Sequence, residues 1–470
     1  MTEYQEGSGS IIDELVSGEM GREQFIRRAT MLGISATAIG GMLAAVGKAT
    51  AADTRAAGSL AGSTVNLLVA AEGDQLGVQD KIGDIKKKFG IDVKMTALAA
   101  GPIGQKSVQS VNAPTGAYDA IMVLGFNVAQ LVGGGFFEPL NPYLAKAPAG
   151  FDFADFPKGE LNYVGYFDVK GGKFGGKTLY LIPGLHGGSV ILFYRKDLFK
   201  AAGVAVPKTW AQYLAAAKKL NGSGVSGNSL IAKSGDVSMF LVDWYTRFVN
   251  SGAPLMSGSP QAKNYTPRLT SPQAVAALQH MVDCVQYADK GVQSYDFTAS
   301  TDAFSAGKTA MMLMWSTIGG PVYNPKSSKV AGKVDVGVPP GKGTAVRGGW
   351  GMGIPKNAPN KDGAWTVIAY LTSKQWDTYQ TLKYQTDPFR NSTYFSPALN
   401  KKLPYLSVAG KVFAKAKTLE IANIPETFEL ITDAATQFAA ALSGSSSAAE
   451  ACKAANDSWV KVLKRGGHLK

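Results

Sequence analysis

Short apolar runs alternate with segments of helical periodicity from Val65 onward, and this alternation constrains the fold more than any other feature of the sequence. VNLLVAA predicts a strand, Asp80–Phe89 a helix and IDVKMTAL a second strand. YDAIMVL predicts another strand, followed by a helix around Val128–Val132. Strands that alternate with helices form a mainly parallel sheet with helices on both faces. The sequence therefore predicts an α/β protein, and 470 residues suffice for two or three packing units of roughly 150 residues each.

Further elements follow the same logic. SVILFYRKDLF and KTAMMLMW predict two more buried strands. Thr209 and Gln212 have the spacing of a capping box, which marks the start of a helix. The helices predicted in this part of the chain are Thr209–Leu220, Ser271–Ala288, Ala364–Leu371 and Ala448–Lys464.

The composition excludes several classes of protein. Hydrophobic residues make up 45% of the chain and charged residues 18%, which is typical of a globular protein and not of a disordered one. Two cysteines exclude a disulfide scaffold and a cysteine zinc cluster, although Cys284 and Cys452 could pair with each other. The three histidines, which lie far apart, argue against a histidine metal centre: His186, His280 and His468. No metal or cofactor is predicted.

The first 51 residues predict an export signal. The uncharged run Met31–Val46 has 16 residues, fewer than the roughly 20 that a membrane-spanning helix needs. Arg27 and Arg28 precede this run, and the small residues Ala49–Ala51 follow it. Basic, apolar and small residues in this order are typical of a cleavable signal, with an N-terminal membrane anchor as the alternative.

The segment Gly21–Arg27 resembles a twin-arginine export signal in which Glu23 replaces the second arginine, so the route of export stays open. Cleavage before Ala52 would leave a net charge of 44 − 29 = +15. The lysines behind this charge are dispersed, and the densest run, Lys86–Lys88, falls on a predicted helix face. A solvated face explains such a run better than a nucleic-acid site does.

One segment matches a nucleotide-binding motif by its letters alone. Gly171–Thr178 reads G-x-x-x-x-G-K-T, the pattern of a phosphate-binding loop. That loop requires a helix directly after it, whereas LYLIPG, which ends in Pro183 and Gly184, predicts a strand. The sequence therefore predicts a β-hairpin turn here and no nucleotide site.

Polar and aromatic side chains follow several predicted strands. In open α/β sheets, ligands bind beyond the carboxyl ends of strands. Sugar sites combine flat aromatic rings with acids and amides that bind hydroxyl groups. The residues at these strand ends are Glu72, Phe126, Asn127, His186, Trp315 and Ser316.

Long blocks of the chain resemble the bacterial extracellular solute-binding proteins of family 1, the maltose-binding-like receptors of ABC transporters. FYRKDLFKAAGVAVPKTWAQYLAAAKKL carries the most specific resemblance, supported by YDAIMVLGFNVAQLVGGGFFEPLNPYL, FSAGKTAMMLMW and GGWGMGIPKNAPNKDGAWTVIAYLTS. The likeness covers nearly all of Val65–Leu463. It implies a periplasmic-binding-protein type II fold, with two discontinuous α/β lobes that close on a ligand in the cleft between them.

The resemblance also implies where the lobes divide. Lobe 1 would hold residues 64–183 and 335–384, and lobe 2 residues 189–333 and 386–470. The chain would cross between them near residues 184–188, 335 and 385–389.

Matching the family's blocks gives a set of expected ligand-binding residues. Lobe 1 would contribute Glu72, Phe126, Asn127, Gly348, Gly349 and Trp350. Lobe 2 would contribute Trp315, Ser316 and, from a block that aligns less clearly, Asp243 and Trp244, with His186 at the hinge and Arg390 at the cleft rim. Tryptophans at such positions also fit a protein core, Glu72 also fits a helix start, and His186 a purely structural hinge residue.

The resemblance implies a periplasmic receptor, not an enzyme, that binds a sugar or polyol and delivers it to the membrane permease of an ABC importer. The receptor would be monomeric and would bind no nucleic acid. Two alternatives stay open: the same fold with a polyamine, metal or anionic solute as ligand, and an exported glycan-degrading enzyme. A polyamine site would need several carboxylates in the cleft and a ferric site would need tyrosines, and neither cluster is evident in the sequence.

Overall fold

The computed structural model describes residues 22–31, 60–71, 73–185, 187–233, 235 and 237–470. Of the expected export signal, only the helix Arg22–Met31 lies within these ranges, and the expected cleavage site lies outside them. Across the described ranges, no helix combines the length and apolar character needed to span a membrane.

The strands are β1 (Thr64–Ala70), β2 (Asp92–Leu98), β3 (Ala120–Leu124), β4 (Tyr166–Asp168), β5 (Lys173–Leu179), β6 (Ile182–Pro183), β7 (Val190–Arg195), β8 (Met256–Ser257), β9 (Thr266–Pro267), β10 (Met311–Trp315), β11 (Val334–Gly337) and β12 (Trp350–Gly353). The helices up to the second half of the chain are α1 (Arg22–Met31), α2 (Asp74–Phe89), α3 (Ala100–Asn112), α4 (Val128–Leu131), α5 (Asn141–Leu144), α6 (Lys158–Glu160), α7 (Lys196–Ala201), α8 (Trp210–Leu220) and α9 (Val237–Val249). The later helices are α10 (Pro272–Val285), α11 (Phe297–Ser305), α12 (Gly319–Tyr323), α13 (Lys361–Leu371), α14 (Lys374–Tyr384), α15 (Asn391–Tyr394), α16 (Pro397–Lys402), α17 (Leu406–Lys415), α18 (Thr427–Leu442) and α19 (Ala448–Arg465).

Five strands form the first sheet, in the order β2-β1-β3-β12-β6. β1 is parallel to β2 and β3, whereas β12 is antiparallel to β3 and β6. Helices α2, α3 and α13 pack against this sheet. The predicted alternation of strands and helices is confirmed here.

Three strands form the second sheet, in the order β10-β7-β11, and both outer strands are antiparallel to β7. The expectation of a mainly parallel arrangement is therefore wrong for this sheet. Every residue of β7 is buried. A continuous apolar run reports burial on both faces of a strand and carries no information about its direction.

Each sheet has its own hydrophobic core. The first core combines β1, β3 and β12 with helix α13 and the segment around Phe151. The second combines β7 and β10 with helices α9, α10, α18 and α19. Phe126 and Tyr163 belong by sequence to the first half but pack with the second core, so the two lobes are in direct contact.

Within the described residues, the chain crosses between the sheets at three places: between β6 and β7, between β11 and β12, and between α14 and α15. The second crossing differs from the expectation, because Asp335 lies inside β11 and pairs with Tyr194. Arg347 still belongs to the second lobe, since its N–H donates to Lys417 O at 2.8 Å. Gly349 O already accepts from Gly125 N of the first lobe at 3.1 Å. The crossing is therefore at Gly348 and Gly349.

Two local predictions are confirmed. The nucleotide-loop lookalike forms the turn and second strand of a hairpin, with β5 antiparallel to β4. Thr209 and Gln212 form a reciprocal capping box at the start of α8.

Candidate ligand-binding site

Two strand ends and two chain crossings meet between the sheets. β3 ends at Leu124, opposite Trp350 at the start of β12. β10 ends at Trp315, opposite Val190 at the start of β7. The segments that cross between the lobes therefore begin or end beside the carboxyl ends of β3 and β10, where the sequence predicts a ligand.

Trp315 lies against the backbone of two crossing segments. A Cβ added to Gly348 would stand 2.2 Å from Cζ2 of the indole, and one added to Gly188 would stand 2.9 Å from its Nε1. Any side chain at Gly348 would force the indole to move, so this glycine is required for the position of Trp315. Trp315 itself is only partly buried.

A cavity of about 10 Å³ lies beside Trp315. This is about the space of one water molecule and far less than a sugar occupies. The residues around it are largely apolar, with one carboxylate among them: Val190, Ile231, Met239, Val242, Asp243, Leu313, Met314 and Trp315. Of the expected site residues, the structure thus brings Trp315 and Asp243 to one cavity.

Asp243 is part of a buried polar network. Its side chain is 3% exposed, and its Oδ1 pairs with Nη1 of Arg247 one helical turn later. Arg247 Nε donates to Nδ1 of His280 at 3.1 Å, and His280 Nε2 lies 3.0 Å from Trp210 O. Since Nδ1 accepts, Nε2 carries the proton and donates to this carbonyl, so the imidazole is neutral.

Burial shifts the pKa values of this network. It raises the pKa of Asp243, and the nearby Arg247 opposes that shift. Burial and then the charge of Arg247 lower the pKa of His280 to about 3. The direct contact between the Asp243 carboxylate and the Arg247 guanidinium makes these two side chains a buried ion pair, with a neutral imidazole beside them.

Ser316 and Asp387 form a second polar group beside Trp315. Ser316 is fully buried, and its Oγ donates to Asp387 Oδ2 at 2.5 Å and accepts from Ser189 N at 3.3 Å. Asp387 lies on the third crossing segment, so this hydrogen bond ties the end of β10 to the hinge.

Phe126 and Asn127 occupy the turn after β3, and both are buried. Phe126 packs edge-on against Phe428 of α18, with ring centroids 6.1 Å apart. A Cβ on Gly104 would lie 3.3 Å from the Asn127 side-chain amide, so Asn127 packs on α3. In this closed arrangement Phe126 contacts the other lobe.

Two of the expected tryptophans lie in the hydrophobic cores. Trp244 is fully buried and stacks on Phe248 at 5.3 Å, while its Nε1 donates to Ala274 O at 3.3 Å. Trp350 is 2% exposed and belongs to the first core. Both side chains therefore fill a protein core, which is the alternative that the sequence left open for them. Neither lines the cavity beside Trp315.

Arg390 is fully buried beneath the third crossing and does not lie at a cleft rim. Its guanidinium donates to the main-chain oxygens of Phe151, Asp152 and Thr372 at 2.6–2.9 Å. It also lies 4.0 Å from the centre of the Phe156 ring. These contacts make Arg390 a clamp that fixes the hinge segment to lobe 1.

Glu72 and His186 lie outside the described residues. Of the glycines expected at the site, Gly348 contacts Trp315 as described. Gly349 faces lobe 1, since an added Cβ would stand 1.7 Å from Glu160 Oε1.

Sequence reasoning missed three charged residues at the lobe boundary: Glu160, Arg347 and Asp387. Arg347 Nη1 lies 3.7 Å from Glu160 Oε2, and both side chains are almost fully buried. No motif marks them, because each becomes significant only through a partner far away in the sequence. By contrast, the spacing of Asp243 and Arg247 is a readable signal for a helical ion pair.

Comparisons with known proteins identify the family of this chain. A family model described as bacterial extracellular solute-binding protein matches residues 70–378. The mannitol-binding protein of Pseudomonas aeruginosa is 25% identical over 419 residues, which cover 81% of this chain and 88% of that protein. A probable amino-acid ABC transporter periplasmic-binding protein of Sinorhizobium fredii is 29% identical over 247 residues, 50% of this chain. This second match spans about half of the relative, 53% of its length.

Solved structures share the fold. A solute-binding protein of Agrobacterium vitis with bound D-mannitol is 25% identical and matches with a TM-score of 0.72, over 86% of this chain and 99% of that one. One of Agrobacterium radiobacter in complex with ribitol is 24% identical and matches with a TM-score of 0.74 over the same shares. The fold is therefore the expected periplasmic-binding-protein type II, with two α/β lobes around a cleft. Because the family model spans most of the described body, the chain belongs to the bacterial extracellular solute-binding proteins.

Proposed function

We propose that this protein is the receptor of an ABC importer and binds a sugar or polyol between its two lobes. The observation that carries the proposal is the pairing of an aromatic face, Trp315, with a buried carboxylate, Asp243, at one cavity of lobe 2, next to the crossing segments against which Trp315 lies. A stacked ring and a hydrogen-bond acceptor are the two elements that a polyhydroxylated ligand needs. The match to a mannitol-binding protein over most of both chains supports the same class of ligand.

A cavity of about 10 Å³ admits no sugar, and Phe126 of lobe 1 packs on Phe428 of lobe 2. Ligand entry would therefore require the lobes to separate. Lobe 1 would comprise residues 64–183 and 350–384, lobe 2 residues 189–347 and 386–470. The lobes would swing about 184–188, Gly348–Gly349 and 385–389. A ligand that contacts both lobes stabilises the closed form by its differential affinity for that form.

The contacts divide between the lobes. Trp315 would stack on the carbon chain of the ligand, Asp243 would accept from a hydroxyl group, and Ser316 would contribute from the hinge. On opening, Phe126 and Asn127 would become accessible from lobe 1. Glu72 and His186 remain proposed contacts from the sequence alone.

The receptor would work in the periplasm after cleavage of its signal near Ala51. The closed form would present the rims of both lobes to the membrane permease, which takes up the released solute. It would bind as a monomer, without a cofactor and without converting its ligand.

A thermal-shift panel of polyols, sugars, sugar acids, amino acids and polyamines tests the proposal. A ligand that binds only the folded state adds about 2.7 kcal/mol of stability at a hundredfold excess over Kd. We expect a shift with polyols or sugars, and full recovery of the ligand afterwards. Shifts with amino acids or polyamines alone would refute the ligand class, and consumption of a sugar would refute the receptor role.

A further inference from the structure

The network beneath Trp315 combines a free acceptor with a balanced pair of charges. Asp243 Oδ1 is taken by Arg247, whereas Oδ2 is buried and has no hydrogen bond of normal geometry within the described residues. The other donor near this carboxylate is the main-chain N–H of Ile231, whose effect on the Asp243 pKa is the smallest of those that act on it. A buried acceptor without a donor is costly, so a donor that enters this cavity is strongly favoured. The missing partner is a group that donates.

The other titratable groups around Asp243 carry no charge at neutral pH. They come from helices α8 and α10, which pack against α9. Burial raises the pKa of Cys284 to about 12, and it raises the pKa of Tyr213 well above its ordinary value. His280 is neutral by its hydrogen bonds and its lowered pKa. Arg247 alone therefore balances Asp243.

We infer that Asp243 and Arg247 together select an uncharged ligand that places a hydroxyl group on Asp243 Oδ2. A ligand carboxylate there would place a second hydrogen-bond acceptor beside Asp243 Oδ2, with no proton between the two oxygens. A ligand ammonium would donate but would leave one uncompensated positive charge in a buried site, which is costly. A hydroxyl group donates and leaves the charges balanced. This inference rests on the proposed function and narrows it, since it disfavours both sugar acids and polyamines.

Arg247 acts here as a positioning residue. Its Nη1 also donates to the main-chain oxygen of Asp243 at 2.9 Å, and its guanidinium lies 5.6 Å from the centre of the Trp210 ring. With Nε held by His280, the arginine is fixed on three sides. It orients the carboxylate and supplies the balancing charge, and its buried Nη2 donates no hydrogen bond to the described residues.

Three ligands with one carbon chain and different charge test the inference: D-mannitol, D-mannonate and 1-amino-1-deoxy-D-mannitol. Calorimetric titration of the wild type should show mannitol bound at least about tenfold more tightly than either charged analogue. Asp243→Asn leaves the positive charge of Arg247 unbalanced and should shift the preference toward mannonate by about tenfold or more. Arg247→Gln leaves the negative charge unbalanced and should shift it toward the amino analogue.

Opposite shifts in the two variants separate selection from a general loss of structure. Asp119→Asn is the matched control, because Asp119 is equally buried but lies at the far end of β3, where it binds Asn66 and Asn360. It should leave the preference among the three ligands unchanged. If Arg247→Gln does not fold, the shift in Asp243→Asn decides alone.

Equal affinity of the wild type for mannitol and mannonate would overturn the inference and leave the proposed function intact. Unchanged preferences in folded Asp243→Asn would do the same. Failure of every polyol and sugar to bind the folded wild type would instead refute the proposed function, and the inference with it.

Discussion

Arg347 and Glu160 join the two lobes through a buried ion pair, with Nη1 and Oε2 3.7 Å apart. Arg347 is anchored in lobe 2, where its Nη2 donates to Ala416 O at 2.9 Å and its guanidinium lies 5.1 Å from the Phe413 ring centre. Glu160 ends helix α6 of lobe 1. The pair lies next to the second crossing, so this contact between the two lobes is physically coupled to the hinge.

We expect Arg347→Met to lower the free energy of unfolding by about 3–5 kcal/mol, because it leaves a buried carboxylate without its counter-charge. The double variant Glu160→Gln/Arg347→Met should recover part of this loss. Urea unfolding of the wild type, both single variants and the double variant measures the coupling. Additive losses would show that the two charges do not interact.

Gly348→Ala should weaken ligand binding by about tenfold or more, because its Cβ would stand 2.2 Å from the indole of Trp315. Among the residues that the structure describes, none beyond its own helix backbone places an atom within 4 Å of a Cβ added to Gly83 on helix α2, so Gly83→Ala is the matched control. The control should keep full affinity and gain up to about 1 kcal/mol of stability from helix propensity. Calorimetry and urea unfolding of both variants test this. Full affinity in Gly348→Ala would remove Trp315 from the site.

The partly buried Trp315 and the fully buried Trp350 should respond differently to truncation. Trp315→Ala should cost about tenfold or more in affinity, with a smaller effect on stability. Trp350→Ala should lower the free energy of unfolding by about 3–5 kcal/mol, because this side chain fills the first core. Affinity and unfolding measured on both variants separate the two roles. A loss of stability without loss of affinity in Trp315→Ala would contradict the assignment.

His280 should make the protein sensitive to acid. Its pKa is about 3 in the folded protein, against 6.5 ordinarily. Between these values the unfolded chain binds a proton that the folded protein does not. The free energy of unfolding therefore falls as the pH drops from 6.5 toward 3, by up to about 1.4 kcal/mol per pH unit from this group.

His280→Gln tests this linkage, because glutamine also accepts from Arg247 and donates to Trp210 O but cannot take up a proton. Urea unfolding at several pH values between 4 and 7 gives the slope for each protein. We expect a shallower slope in the variant. Equal slopes would mean that other groups govern the acid response.

Both cysteines should be unreactive in the folded protein. Cys284 and Cys452 are free and buried, and burial raises the pKa of each thiol to about 12. Ellman's reagent should detect no thiol in native buffer and two per chain in denaturant. Prompt reaction in native buffer would contradict this packing.

The sequence predicts the strands and most helices well, because apolar runs and helical periods are local signals. β3 and β10 follow directly from YDAIMVL and KTAMMLMW. The antiparallel second sheet and the crossing at Gly348 could not be derived in this way. Both depend on pairing between segments more than a hundred residues apart, such as β7 with β10.

The site illustrates the same limit. The burial of Trp244 could have been predicted from the sequence, since Phe240, Trp244 and Phe248 repeat every four residues along the core face of α9. No comparable pattern marks Arg390, because it donates to main-chain oxygens, and the carboxylate beside it, Asp155, lies far away in the sequence. Trp315 and Asp243 are 72 positions apart, so only the folded chain could bring them to one cavity.

Calorimetric titration of D-mannitol into the wild type and into Trp315→Ala is the most direct test of the central claim. We expect saturable binding at one site in the wild type, at least about tenfold weaker binding in the folded variant, and mannitol recovered unchanged. Equal binding in both proteins would contradict a site between the lobes at Trp315. If neither mannitol nor any other polyol or sugar in the panel bound the folded wild type, the proposed function would be wrong.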